Sequence, residues 1–339
     1  MLDPTPKDSA TPTNTPESTP LILVCYHKFS KPIIASEILR PIIVGAANIG
    51  EGAKALQEKL ESKLPKNLRL GEGQQILLDS SGDNISHLNP HFCELTAMYW
   101  AWKNVDSSYY GLFHYRRVLD LSEKAQHIRT DYPIIVPDYR YNPKRYGLTN
   151  QNITKLLEQY DIILPQSYKN HNPSPCDEGL DNYEIYAKYH YAKDLDRIIE
   201  LIKSRHPQMI EALEKVLFTK PPRWHIANVF IMRKDLYHEY CAWLFPLLFD
   251  LSKETDLSTY APYQTRIYGF IAERLLNVWI EYKRQSAAPR ILEAPMILFA
   301  HKKPLIGWEI NEKYKRFYFF GLRLYKAPIK PALDNKEQM

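Results

Sequence analysis

Short apolar segments of strand length alternate with longer amphipathic segments along most of this chain. The first, from Leu21 to Tyr26, is uninterrupted, which is typical of a strand buried on both faces of a parallel sheet. Further strands are predicted at 41–44, 76–78, 109–113, 134–136, 161–164, 226–232 and 296–300. Helices are predicted at 51–63, 90–104, 150–159, 183–204, 208–217, 235–251 and 264–282. This alternation predicts an α/β fold whose sheet has helices on both faces.

The composition excludes several classes of protein. Hydrophobic residues make up 45% and charged residues 24%, which is the globular range and excludes a disordered or fibrous chain. The net charge of +5 is too small to argue for nucleic acid, and we expect no such partner. Cys25, Cys93, Cys176 and Cys241 are too far apart for a disulfide framework or a zinc site. Reduced thiols, and the lack of an apolar stretch of roughly 20 residues, predict a cytoplasmic protein without a transmembrane helix.

The two ends of the chain differ in composition from the middle. Residues 1–20 contain five prolines and five threonines, and they are predicted to form a disordered leader. The extension at 306–339 interleaves aromatic residues with lysine and arginine. Two interpretations of it stay open, a surface that rests on the inner face of the cytoplasmic membrane and a last element that packs its aromatic side chains onto the domain.

Polar residues that directly follow strands are the first candidates for a site, because ligands of open α/β sheets bind beyond the carboxyl ends of the strands. His27 and Lys28 follow the first strand, where they suit a phosphate or a base, or else form a solvated loop. A later strand leads directly into His114, Arg116 and Arg117. Guanidinium groups bind phosphate oxygens bidentately, so this segment predicts a clamp for a diphosphate, with plain surface charge as the alternative. Since side chains alternate along a strand, only one of the two arginines is expected to reach the ligand.

A polar loop follows the strand at 76–78. Asp83 and Asn84 place a carboxylate beside an amide, which suits a ribose or a uracil edge, although an Asx turn is an equal interpretation. Asn89, which precedes a proline, is predicted to begin a helix and is also counted among the ligand-binding residues. Glu94 lies near the start of that helix, where the helix dipole alone explains a carboxylate.

Two later segments carry further candidates. Trp224, His225 and Asn228 offer an aromatic platform, an imidazole and an amide, which together commonly hold sugars, although core packing is an equal interpretation. Arg266 and Glu273 share the polar stripe of the helix at 264–282. Glu273 suits a general base for a sugar hydroxyl, or else an ion pair with a basic residue.

Several longer blocks carry a resemblance to a known family. They are VCYHK at 24–28, PIIVGAA at 41–47, GDNIS at 82–86, NPHFCELTAMYWAWKN at 89–104, GLFHYRR at 111–117, WHIANVFIM at 224–232, YCAWLFPLLFDL at 240–251 and RIYGFIAERLLNVWI at 266–280. In these blocks the chain resembles a bacterial family catalogued as domain of unknown function 4422, regarded as glycosyltransferases of capsule and O-antigen assembly.

The resemblance implies a glycosyltransferase-A-like fold, with a Rossmann-like mixed sheet in a single domain at 21–305. It implies transfer of a hexosyl group, galactofuranosyl or galactosyl, from a UDP-sugar to a glycan or lipid-linked glycan acceptor in capsule or O-antigen assembly. In such folds an acidic DxD motif and Mn²⁺ or Mg²⁺ normally meet the diphosphate after a central strand. His114 to Arg117 occupy that position here, so arginines are expected to replace the metal, with dependence on Mn²⁺ or Mg²⁺ as the alternative. A literal DxD at Asp194 and Asp196 lies within a helical pattern and is not predicted to bind metal.

Specific roles follow from this interpretation. Glu273 and His225 are predicted to be catalytic in an inverting transfer. The predicted donor-binding residues are His27, Lys28, Asp83, Asn84, Asn89, His114, Arg116 and Arg117, and the predicted sugar- or acceptor-binding residues are Trp224, Asn228 and Arg266. The alternative function is a non-catalytic glycan-binding or scaffolding subunit of a surface-polysaccharide assembly complex.

Overall fold

A computed structural model describes residues 19–64, 68, 76–169, 177–300, 306–310, 314–319 and 322–328. The strands are β1 (Leu21–Tyr26), β2 (Leu39–Ile43), β3 (Leu77–Leu78), β4 (Tyr109–His114), β5 (Arg117–Leu119), β6 (Ile134–Pro137), β7 (Ile162–Pro165), β8 (Phe230–Arg233), β9 (Ile291–Ala294), β10 (Met296–Ala300), β11 (Ile306–Ile310), β12 (Tyr314–Phe319) and β13 (Leu322–Pro328). The helices are α1 (Ala46–Ile49), α2 (Glu51–Glu61), α3 (Asn89–Phe92), α4 (Leu95–Asn104), α5 (Asn150–Leu157), α6 (Asn182–Tyr189), α7 (Ala192–Arg205), α8 (Ile210–Phe218), α9 (Lys234–Glu254) and α10 (Ile267–Ser286). The predicted leader, apart from its last two residues, and Cys176 lie outside the described residues.

A ten-stranded mixed sheet organises the chain. Its main path runs β3-β2-β1-β4-β5-β10-β6, and β8 pairs with β4 and leads on to β7 and β9. Strands β3, β2, β1 and β4 are parallel, whereas β8 runs antiparallel to β4 and β5 runs antiparallel to β10. The carboxyl ends of β1, β2 and β4 therefore lie at one edge of the sheet, which is where ligands of such sheets bind.

Helices cover both faces of this sheet, as the sequence predicts. Successive side chains of β1 alternate between two apolar clusters, with Leu23 in one and Ile22 in the other. The first cluster packs against α4, α9 and α10, and it contains Ile271. The second cluster packs against α2 and α5, and it contains Leu60 and Ile153. Burial on both faces explains why β1 reads as a continuous apolar run.

Two of the predicted elements are interrupted in the structure. The predicted helix at 183–204 is divided into α6 and α7 at His190, whose ring stacks on Phe270 with the centroids 4.2 Å apart. The predicted strand at 226–232 begins only at Phe230, because Ala227 and Asn228 have φ angles of 74° and 40°. Both breaks lie where side chains of distant segments meet, and local periodicity carries no information about such contacts.

The C-terminal extension forms a separate three-stranded antiparallel sheet from β11, β12 and β13. Leu322 and Leu324 of β13 are 69% and 64% exposed. Contact of this extension with a membrane stays a prediction.

Asp79, directly after β3, ties together the loops beside the sheet edge. Its carboxylate is fully buried and accepts hydrogen bonds from the backbone N–H groups of Gly45, at 2.8 Å, and Ala46, at 3.0 Å. It also accepts hydrogen bonds from the hydroxyl groups of Ser86 and Thr96. Gly45 itself has a φ angle of 69°, which favours glycine. This carboxylate therefore fixes the chain directly after β2 to the start of the α3–α4 segment.

We expect Asp79→Ala to lower the free energy of unfolding by about 3 kcal/mol, because four buried donors would lose their acceptor. Urea denaturation measures the effect as a lower midpoint at an unchanged m-value. The matched control is Asp83→Ala in the same loop, where the exposed side chain predicts a change within about 0.5 kcal/mol. Equal effects of the two substitutions would contradict the assignment.

Candidate functional site

A cavity of about 460 Å³ lies at the carboxyl ends of the parallel strands, and we call it the strand-end cavity. His27 and Lys28 follow β1, Val44 follows β2, and His114 is the last residue of β4. Residues from two helical segments complete it. They are Asn89, Pro90, Cys93 and Glu94 from the α3–α4 segment, and Arg266 directly before α10. The cavity thus collects most of the predicted donor-binding residues.

Both Arg116 and Arg117 line the strand-end cavity, whereas strand alternation predicts that only one of them reaches a ligand there. That expectation assumed a strand that continues through both residues. Instead β4 ends at His114 and pairs with Arg117 of β5 in an antiparallel register, so that Tyr115 and Arg116 form the turn of a tight hairpin. A turn abolishes the strict alternation of side chains, and both guanidinium groups can face one ligand.

The strand-end cavity is strongly cationic. Lys28, Arg116, Arg117 and Arg266 all line it, and within the described ranges none of the four forms an ion pair with a carboxylate. Arg266 Nε donates a hydrogen bond to the Cys93 sulfur at 3.1 Å. Basic side chains without counter-ions around a concave surface favour the binding of an anion, and arginines in particular favour phosphate oxygens.

Glu94 is the acidic residue of the strand-end cavity, and it is almost completely buried. Its carboxylate accepts a hydrogen bond from Asn228 Nδ2 at 2.8 Å and lies 3.7 Å from His114 Nε2. Burial raises its pKa, but the charge of His114 and the hydrogen bonds outweigh burial and lower the pKa of Glu94 to about 2. Glu94 is therefore ionised at neutral pH and is a weak proton acceptor.

The sequence interpretation did not count Glu94 as functional, because a carboxylate near a helix start has a sufficient local explanation. The contact with Asn228 joins residues 134 positions apart. No local pattern in the sequence marks this contact, because it forms only in the folded chain. Asn228 itself lines neither cavity described here, and it acts by holding Glu94.

A second, wider cavity of about 1020 Å³ adjoins the first. The two cavities share five lining residues, which are Cys93, Glu94, His114, Arg117 and Arg266. The wide cavity adds Trp224 and Glu273 from the predicted set, together with aromatic side chains such as Tyr263 and Phe270. The shared residues form the junction between a cationic cavity and a wider, partly aromatic one.

Glu273 is half-buried in α10 and lines the wide cavity. Its backbone carbonyl accepts a hydrogen bond from Asn277 Nδ2 at 2.7 Å, as expected one turn later in the helix. Its carboxylate has no hydrogen bond or ion pair in the part of the chain that the structure describes, so the ion-pair interpretation finds no partner there. A carboxylate in this state is available to a ligand in the cavity.

The structure places His225 outside both cavities. Its ring is buried, and Nδ1 lies 2.7 Å from the Pro165 carbonyl oxygen. The side chain of Asn277 makes two hydrogen bonds to the backbone of His225. Asn277 Oδ1 accepts from the His225 N–H at 2.7 Å, and Asn277 Nδ2 donates to the His225 carbonyl oxygen at 2.8 Å. Burial lowers the pKa of His225. Through its ring and its backbone His225 therefore joins β7 to α10, and its predicted catalytic role has no support from its position.

Asp83 and Asn84 also lie outside both cavities. The Asn84 amide donates to the carbonyl groups of Ser80 and Gly82, at 3.1 and 2.8 Å, and its oxygen accepts from the Ser86 N–H at 3.2 Å. These bonds match the Asx-turn interpretation of the loop. The structure does not bring the pair to the candidate site.

The donor set of the strand-end cavity does not fit a divalent metal ion. Mn²⁺ and Mg²⁺ prefer several oxygen ligands, whereas Glu94 supplies the carboxylate here among cationic side chains. Asp194 is buried in α7 and accepts a hydrogen bond from Tyr260 at 2.8 Å, while Asp196 accepts one from Tyr183 at 2.7 Å. Neither aspartate of this literal DxD lines either cavity.

Within the described ranges, no helix is both long and apolar enough to cross a membrane.

Comparisons with known proteins agree with this architecture. The structure is similar to the apo structure of the WbbM bifunctional glycosyltransferase, with a TM-score of 0.68 and 29% sequence identity over 86% of this chain and 48% of that one. The chain thus spans about half the length of that protein. None of the curated proteins compared with the chain matches it. The family described as a domain of unknown function, DUF4422, matches residues 21–285, and the chain belongs to that family.

Proposed function

We propose that this protein is an inverting glycosyltransferase that moves a hexosyl group, galactofuranosyl or galactosyl, from a UDP-sugar to a growing capsular polysaccharide or O-antigen. The observation that carries the proposal is the strand-end cavity, where four basic side chains without carboxylate partners among the described residues surround a space at the carboxyl ends of parallel strands. A nucleoside diphosphate supplies the charge that these side chains lack. The similarity to a bifunctional glycosyltransferase supports the same reaction class.

The two cavities suit the two substrates of a transfer. The diphosphate would lie in the strand-end cavity between Arg116, Arg117 and Lys28, and the acceptor would enter the wide cavity. Arg117 and Arg266 line both, so the bond between the sugar and the diphosphate would lie beside them. Negative charge develops on the departing phosphate oxygen, and guanidinium groups fixed at that point stabilise it.

Glu273 would act as the general base. In a single displacement the acceptor oxygen forms a bond to the anomeric carbon as the bond from that carbon to the UDP oxygen breaks, and the electron pair leaves with UDP. The acceptor hydroxyl loses its proton to the Glu273 carboxylate, which lines the wide cavity and carries no bonded partner among the described residues.

Glu94 would serve a different purpose. It lies at the junction of the cavities and stays ionised far below neutral pH, so it is better suited to stabilise positive charge than to remove a proton. Glycosyl transfer passes through a state with positive charge on the sugar ring. Asn228, which holds this carboxylate at 2.8 Å, would be a positioning residue.

The proposal is tested by titrating UDP calorimetrically into the purified protein with EDTA or with Mn²⁺, and then screening UDP-hexoses for transfer. We expect binding that is independent of EDTA, because the cavity offers arginines in place of a metal site. Binding that requires Mn²⁺ would overturn the metal-independent mechanism. Absence of binding to UDP and to other nucleoside diphosphates would overturn the transferase proposal in favour of a scaffolding role.

The pH dependence of UDP binding gives a separate prediction. Burial, followed by the positive charges of Lys28 and Arg116, lowers the pKa of His27 from 6.5 to about 4. In the free protein His27 is therefore neutral over most of the range between pH 4 and 6.5. Its contribution to the stability of the fold is present above pH 6.5 and is lost as the pH falls through 4. A bound diphosphate favours the imidazolium form and raises this pKa.

We therefore expect UDP binding between pH 6.5 and 4 to take up protons, and the affinity of the wild-type protein to rise relative to that of His27→Gln as the pH falls. Calorimetry in two buffers of different ionisation enthalpy counts the protons. Titration of the phosphate itself is common to both proteins and cancels in the comparison. Identical proton uptake by the variant and the wild type would exclude His27 from the diphosphate site.

A further inference from the structure

Arg274 of α10 lines the wide cavity but not the strand-end cavity. The residue is only 5% exposed. Its guanidinium carbon lies 4.6 Å from the ring centroid of Trp224 and 4.8 Å from that of Tyr186. These cation–π contacts with two aromatic rings stabilise a buried charge and restrict the orientation of the guanidinium group.

Among the described residues, Arg274 uses little of its hydrogen-bonding capacity. Nη1 donates to the carbonyl oxygen of Phe270 at 2.9 Å, within the same helix, whereas Nε is buried without a partner. Across the described residues, no carboxylate forms an ion pair with this guanidinium. Burial also lowers the pKa of Arg274. Burying this cation costs free energy, which the negative charge of the neighbouring Glu273 offsets only in part and an anion bound in the adjoining cavity would recover.

The other charged groups of the wide cavity have contacts or proposed roles of their own, Glu273 as the proposed base among them. Asp177 accepts hydrogen bonds from Lys188, at 2.9 Å, and from Tyr189, at 2.8 Å. Arg117 and Arg266 lie at the junction, next to the proposed diphosphate. Arg274 is therefore the cation that faces the part of the wide cavity beyond the donor.

We infer that Arg274 binds the carboxylate of an acidic sugar, so that the acceptor is a glycan carrying a uronic-acid unit in the wide cavity. This inference rests on the proposed function, which makes the wide cavity the acceptor site. A carboxylate is planar and singly charged, and it matches the edge of one guanidinium group. A phosphate monoester would bring a second negative charge near Glu273, whereas the other arginines of this cavity, Arg117 and Arg266, lie at the junction beside the proposed diphosphate.

The experiment compares methyl glucuronide with methyl glucoside, which differ only in the oxidation of one carbon. Binding of each to the wild-type protein is measured by NMR titration, with UDP and without it. We expect the glucuronide to bind about tenfold tighter or better, as for other hydrogen bonds between charged groups. Arg274→Met, which keeps an unbranched side chain, should bind both glycosides equally, whereas Arg274→Lys should retain part of the preference.

Arg284→Met is the matched control on the same helix, because Arg284 pairs with Glu293 at 2.7 Å and lines neither cavity described here. It should keep the full preference for the glucuronide. Equal affinity of the two glycosides for the wild type, absence of glucuronide binding, or a preference that survives in Arg274→Met would each overturn the inference. A protein that prefers the glucuronide but does not bind UDP would instead contradict the proposed function. If Arg274→Met fails to fold, the wild-type comparison and Arg274→Lys still decide.

Discussion

Replacing Arg116 and Arg117 together by alanine is expected to weaken UDP binding by at least about 100-fold. Both guanidinium groups line the strand-end cavity, and each hydrogen bond between charged groups contributes about 1.5–3 kcal/mol. Arg117 is half-buried on β5, so its conformational freedom is already reduced before the ligand binds. Titration calorimetry in EDTA measures the loss.

The control for this prediction is the double substitution Arg140→Ala, Arg145→Ala. It removes the same formal charge from exposed positions that line neither described cavity. We expect it to change UDP affinity only slightly, and less so at higher salt, because distant surface charges are screened. Similar losses in the two double variants would mean that net charge, and not the hairpin clamp, binds UDP.

Substituting Glu273 by glutamine is expected to lower kcat for transfer from UDP-galactofuranose or UDP-galactose by about 10²–10⁴. The amide keeps the size of the side chain but cannot accept the acceptor proton at neutral pH. UDP affinity should not change, because Glu273 lines the wide cavity and not the strand-end cavity. Steady-state rates and UDP titrations on the same preparation separate the two effects.

The matched control is Glu254→Gln, which removes an exposed carboxylate paired with Arg197 on the surface. It should leave the rate near that of the wild type, since surface ion pairs contribute little. Retention of most activity by Glu273→Gln would remove this residue from the role of base.

Polar residues after strands were a good guide to the strand-end cavity. His27 and Lys28 follow β1 and His114 ends β4, and the topology brings the carboxyl ends of these parallel strands to one edge of the sheet. The position of each residue relative to its own strand is a local property that hydrophobic runs reveal. Their convergence then follows from parallel pairing alone.

Residue type predicts a binding site less well where a polar side chain bonds other parts of the protein. Asp83 and His225 have the residue types of a binding site, but Asp83 lies in an exposed loop and His225 bonds a carbonyl of β7. Glu94 was dismissed for a sound local reason, although Asn228 and His114 hold it at the junction of the cavities. Residue type and spacing do not reveal whether a polar group meets protein or ligand, because that depends on partners far away in sequence.

The fold class, the family and the cationic segments at the strand ends can be predicted from the sequence, because strand periodicity, long matching blocks and charge are local properties of the chain. Which polar groups keep no partner among the described residues follows only from the tertiary structure. The hairpin turn at Tyr115 and Arg116 brought both arginines to one cavity, and α10 brought Glu273 and Arg274 to another. Burial and hydrogen bonding between distant segments set the ionisation and availability of each group, and those contacts exist only once the sheet and its helices have packed.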